Sequence, residues 1–166
     1  MTNVNRIARH LLTTHWQVHR AFPRETLDAI EQTIKACEST HDGEIRFALE
    51  GALHSAALLK GQSARDRAIE VFSQLHVWDT EENNGVLLYL LLADHEVEIV
   101  ADRGLHARVC PGDWEHICRE MEAAFRRGEY RDGVTAGIQA IARHMKQHFP
   151  ARDHVENELL DKPVFL

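Results

Sequence analysis

The run Val86–Ala93, VLLYLLLA, is apolar at every position and stops after eight residues. Eight residues are too few to cross a bilayer. A segment that is apolar on both faces must be covered on both, as a central strand is when helices flank its sheet. This run therefore predicts a layered α/β fold. The octet WDTEENNG (78–85), acidic and rich in amides, runs directly into it. Such an octet is either a solvated loop or an oxygen-donor site at the mouth of a buried strand. Spacing alone does not decide, because it does not match the calcium-loop pattern D-x-[DN]-x-[DN]-G.

The neighbouring segments supply a topology. Ile45, Phe47 and Leu49 alternate with Arg46, Ala48 and Glu50, the period of a strand. Ser63 with Asp66 has a capping-box-like spacing and opens a helix over 63–77, so 44–50, 63–77 and 85–93 form a βαβ unit with parallel strands. Asp94-His95 is a tight turn into a second alternating run, 96–101, antiparallel to its predecessor. Residues 101–104 should then return to the edge where 85–93 begins, bringing Asp102 and Arg103 to Asp79, Glu81, Glu82, Asn83 and Asn84. Glu50 should lie at the opposite edge. Asp79, Glu81, Asn83, Asn84 and Asp102 are thus candidate ligands, and their hard oxygen donors suit Ca²⁺ or Mg²⁺. Arg103 either pairs with these carboxylates or, together with Trp78, contacts an anion or partner. Trp78 is expected to pack under the loop and order it.

Helices should flank this centre. Val4, Ile7, Leu11, Val18 and Phe22 form one stripe, widened by Ala8, Leu12 and Trp16, up to the break at Pro23. A second stripe, Leu27, Ile30, Ile34 and Cys37, completes a helical hairpin. Two later stripes run from Trp114 to Phe125 and from Val134 to Met145. The expected architecture is a three-layer α/β/α sandwich with a small mixed sheet, a central βαβ unit and a β-hairpin. Residues 1–41 form a packed helical extension, 42–150 the main domain, and 151–166 a loosely ordered tail.

Several function classes lose support. A net charge of −7 lacks the basic footprint of a nucleic-acid binder. The sequence contains no P-loop, GxGxxG or GxSxG, so no nucleotide or organic cofactor is expected. Cys37, Cys110 and Cys118 are scattered without a CxxC, and the first sixteen residues do not read as a signal peptide. Cytoplasm is the expected compartment. His15/His19 and His144/His148 have chelating i, i+4 spacing but no evident third ligand, and read as structural. The Cys110 loop lacks the arginine of a cysteine phosphatase, and Pro111 there reads as a helix start.

EENNGVLLYLLLADHEVEIVADRGLH, followed by Trp114, FRRGEYRDGVTAGIQAI and HFP, resembles the TPM domain over about Gly43–Phe149. That family's relatives include thylakoid-lumen proteins of photosystem II repair, a levamisole-receptor modulator and many bacterial proteins. The helical extension with HWQVHRAFP is similar to a cytosolic bacterial branch. The resemblance implies an α/β/α sandwich, divalent-cation binding in some members, acid phosphatase activity in plant members, and roles in assembling or repairing membrane complexes. It carries the family's polar cluster to Asp79, Asn83, Asn84 and the turn Asp102-Arg103-Gly104. The sequence departs from the pattern where secreted members commonly read Gly-Tyr-Gly, and it shows neither the signal peptide nor the C-terminal membrane helix of most relatives. Three functions follow as expectations: an accessory binding protein with a cation site and a protein partner, a weak metal-dependent phosphatase, or a structural interaction module.

Overall fold

The structure, a computed structural model, describes residues 3–152 and 157–166. Its elements are α1 (Asn3–Leu12), α2 (His15–Ala21), α3 (Arg24–Glu38), β1 (Glu44–Glu50), α4 (Ser55–Leu59), α5 (Ala64–Gln74), β2 (Gly85–Leu91), β3 (Glu96–Ala101), α6 (Arg103–His106), α7 (Pro111–Arg126), α8 (Tyr130–His148) and β4 (Val164–Phe165). The strands form one mixed sheet in the order β3-β2-β1-β4. β1 runs parallel to β2, and β2 antiparallel to β3.

β2 is buried at every position, as its uninterrupted apolar sequence requires. Val86, Leu88 and Leu90 join Ile45, Phe47 and Leu49 of β1 under α3, α7 and α8. Leu87, Tyr89 and Leu91 face the other way, with Ala48, against Ala64, Ala68 and Val71 of α5. These are the three layers. Ser63 and Asp66 form the capping box that starts α5, an arrangement worth about 1 kcal/mol.

The amino-terminal segment departs from the expected hairpin. The chain leaves α1 at Leu12, and a Thr14–Gln17 capping box starts α2. Val4, Leu11, Leu12 and Trp16 are exposed instead of forming one buried stripe with Val18 and Phe22. The reason lies on the polar face of α1. Asp94, in the β2–β3 turn, accepts from Arg6 Nε at 2.8 Å and from an Arg9 terminal nitrogen at 2.9 Å. His10 Nε2 lies 3.1 Å from the same carboxylate. The Leu53 amide donates to His10 Nδ1 at 3.0 Å, so that nitrogen carries no proton. This buried ion cluster, rather than the apolar stripe, sets the orientation of α1.

The carboxyl-terminal residues also differ from the expected loose tail. Residues 153–156 of that tail lie outside the described residues. Beyond them, β4 pairs parallel with β1 through Ala48↔Val164 and Leu49↔Phe165. Glu44 accepts from the amides of Glu158 and Leu159 at 3.1 and 3.2 Å, and Arg46 donates to the Leu160 and Lys162 carbonyls. The segment therefore straps the outer edge of β1. Glu38 sits at this seam near Glu44 and Asp161. Burial first, and then these two carboxylates, push its carboxyl up to about 9, while the Ile45 amide it accepts pulls the other way.

Candidate functional site

The octet lies under the first rung of β2. A Cβ on Gly85 would fall 2.0 Å from the Val77 carbonyl oxygen; only glycine lets the chain turn this tightly against itself. Within the loop Asn83 adopts a left-handed φ of 52°, tolerated by asparagine better than by most residues. Thr80 is buried, and its hydroxyl accepts from the Asn84 amide at 3.1 Å.

The far end of the hairpin meets this loop. The Asp102 amide donates to Gly85 O at 2.9 Å, continuing the β2–β3 ladder one step beyond the strands. Asp102 then caps α6, its Oδ1 accepting from the Arg103 amide at 2.7 Å. The Gly104 amide donates to Asn83 O at 2.9 Å. A Cβ at Gly104 would lie 2.6 Å from Asn83 O and 2.8 Å from Glu82 O, so glycine is needed for the close approach. Arg103 extends outward and donates to Asn83 Oδ1 at 3.2 Å.

Two side-chain oxygens stand out. Asn84 is 1 % exposed and Asp102 6 %. The Asn84 amide nitrogen donates to Asp42 O at 2.8 Å, which fixes the side chain's orientation. Asn84 Oδ1 and Asp102 Oδ2 are then left buried with no hydrogen-bond donor among the described residues. An unsatisfied buried polar group costs about 1–3 kcal/mol, and two occur where the β2 and β3 ends meet.

The structure thus brings together Asn83, Asn84, Asp102 and Arg103, and sets Glu50 at the opposite end of the sheet, paired with Leu91. Asp79 and Glu81 are exposed on the same loop. Their carboxylates make no hydrogen bond or ion pair among the described residues. Trp78 does not pack beneath the loop. It is 48 % exposed, its indole 5.8 Å from the His76 ring, and buried Thr80 orders the loop instead. Spacing also gave no sign of Asp42, whose carbonyl orients Asn84 from another element. Its carboxylate is held by the Arg152 guanidinium and, at 2.8 Å, by the Arg152 amide.

The donors fit a hard cation in type: one carboxylate oxygen, one amide oxygen, and, against Gly104, the Glu82 and Asn83 carbonyls. Among the described residues no group of three or more His, Cys, Asp or Glu side chains is placed to hold a metal ion. Any cation here would therefore depend on amide and main-chain oxygens.

A family model described as TPM domain matches residues 19–144. The chain belongs to the TPM domain family. The match spans β1, β2, β3, the octet and the Asp102 turn, so both orphan oxygens lie inside the TPM domain. The NMR structure of BA42 protein from the psychrophilic bacterium Bizionia argentinensis shares 27% identity and a TM-score of 0.75, covering 85% of this chain and 92% of that one. The solution structure of the N-terminal domain of a P. gingivalis protein shares the fold at 20% identity and a TM-score of 0.64, covering 80% and 83%. No curated protein matches the sequence. No helix among the described residues of this TPM-family chain is long and apolar enough to cross a membrane.

Proposed function

We propose that this TPM-family protein is an accessory binding protein that holds Ca²⁺ or Mg²⁺ between the octet and the Asp102 turn and meets a protein partner there. The observation that carries the reading is the pair of buried, donorless oxygens, Asn84 Oδ1 and Asp102 Oδ2. A hard cation held at either oxygen would compensate its missing donor, where a neutral cavity leaves it uncompensated. Of the loop's other carboxylates, Glu82 is paired with Arg152 at 3.2 Å, and Asp79 and Glu81 make no ion pair among the described residues. With a single buried carboxylate the site belongs at the weak end of the calcium range, about 10⁻⁴–10⁻³ M. A bound cation would supply positive charge for recognising an acidic group, with Arg103 beside it as a second cationic contact.

That exposed guanidinium favours one alternative, weak phosphomonoester hydrolysis. In that reading Arg103 would orient a phosphoryl oxygen, and the cation would act as a Lewis acid. Heteronuclear NMR titration with CaCl₂ and MgCl₂ tests the first reading. Amide shifts confined to 80–85 and 102–104 are expected, and a silent loop at millimolar cation would remove both readings. Phosphatase assays on the parent and Asp102→Asn then separate binder from enzyme, since a binder turns over phosphomonoester in neither.

A further inference from the structure

We infer that an open cavity at the carboxyl end of β2 binds a small organic anion, a carboxylate carried on a planar apolar body, through Arg9, Arg20 and Arg131. The cavity measures about 1030 Å³ and reaches from α1 and α2 across Leu92, Ala93 and His95 to the start of α8. That is at the upper end of the range for small-molecule sites, about 300–1,000 Å³. It lies at the opposite end of β2 from Asn84 and is independent of the cation site. Ligands of open α/β sheets gather at the carboxyl ends of strands.

The charge of the wall selects an anion. Three arginines reach it from three different helices. Asp94 fixes Arg9 at 2.9 Å, while Arg9 Nε is buried with no acceptor among the described residues. Arg20 and Arg131 are exposed and have no acidic partner among the described residues. Of the two lining acids, Glu129 is held by Arg127 at 2.7 Å, leaving Asp132 alone without an ion pair. Two uncommitted arginines thus face one uncommitted carboxylate, in a chain of net charge −7. α8 adds to the bias. It runs for 19 residues from Tyr130 with no side-chain cap from Glu129, so the positive end of its dipole faces the cavity, offset in part by Asp132 in the first turn.

The aromatic groups select a planar body. Trp16 is 66 % exposed and carries the Arg20 guanidinium 5.4 Å from its ring centroid. Tyr130 is held against Phe22 and Phe125, with ring centroids 5.4 and 5.3 Å apart. One wall is therefore an anchored ring and the other an exposed indole with Arg20 over one face. Aromatic surfaces with a few placed charges are the usual composition of such sites.

The test uses 2-naphthoate, its neutral isostere 2-naphthamide, and the full chain. By NMR, 2-naphthoate at millimolar concentration is expected to shift the Trp16 indole N–H and the amides of 128–132, leaving 83–85 and 102–104 unmoved. The amide isostere should bind about tenfold more weakly, as should Arg20→Gln and Arg131→Gln, a difference of about 1.4 kcal/mol each. Both positions are exposed, so an unchanged amide spectrum elsewhere verifies that the variants fold. The inference is overturned if naphthoate shifts no residue of the wall, if naphthamide binds equally, or if the double variant binds as the parent does.

Discussion

Gly104 donates its amide to the Asn83 carbonyl at 2.9 Å, and a methyl group at Gly104 would lie 2.6 Å from that same oxygen. The contact is possible only because the residue has no side chain. Gly104→Ala must push the Asp102 turn away from the octet, since the obstacle is main chain and cannot rotate aside. The variant should lose about 1–3 kcal/mol of stability and the cation-induced shifts together. Chemical denaturation and the NMR titration measure the two effects. Retention of both would mean that the turn has slack.

Asp102→Asn separates charge from structure. Its retained Oδ1 can still cap α6, and asparagine caps about as well as aspartate. Thermal unfolding should therefore change by less than about 0.5 kcal/mol. Calcium affinity should fall about tenfold or more, because the buried site has only one carboxylate. Undiminished affinity would assign the cation to Asp79 or Glu81 on the exposed loop.

Asp94→Ala tests what orients α1. The substitution removes the acceptor shared by Arg6 and Arg9 and leaves His10 facing a void. Breaking a buried ion cluster from one side costs about 3–5 kcal/mol. Faster hydrogen exchange throughout α1, with β1–β3 still protected, is the expected pattern. Uniformly faster exchange would show that α1 unfolds only with the whole domain.

Glu38 predicts a pH dependence. Its folded carboxyl is raised from 4.5 to about 9, chiefly by burial. Between those values the unfolded chain has lost a proton that the folded chain keeps, so this group makes stability fall as pH rises. Its contribution is fully present below about 4.5 and lost through about 9. Glu38→Gln, neutral throughout, should be more stable than the parent at pH 8 by at least about 1 kcal/mol, and the difference should shrink towards pH 5. Equal denaturation midpoints at both pH values would place a charged Glu38 in the folded state.

The sheet was legible because period-two alternation and an uninterrupted apolar run have few other solutions. β1 and β3 fall at 44–50 and 96–101, and the short Asp94-His95 turn required Asp102 to return beside Asn83. Less could be read where long-range polar contacts prevail. Val4 and Leu11 have helical spacing, yet Asp94, more than eighty residues away, turns Arg6 and Arg9 inward instead. The Val164–Phe165 strand is too short to show a period. The orphaned oxygen of Asn84 depends on Asp42, a pairing that no local spacing encodes, and Trp78 carried no signal that Thr80 would take its place.

The octet and the Asp102 turn are joined chiefly through main-chain amides and carbonyls: Asp102 to Gly85 and Gly104 to Asn83. Shape and chemistry are therefore separable at this point of the molecule. The seat is built of atoms that every residue shares, while the outward guanidinium of Arg103 hangs from it and can be exchanged without dismantling it; Asn83, at a left-handed φ of 52°, is part of the seat. For anyone wishing to re-address this protein to another ligand, Arg103 is the position to vary, and Asn83 and the two glycines the ones to leave alone.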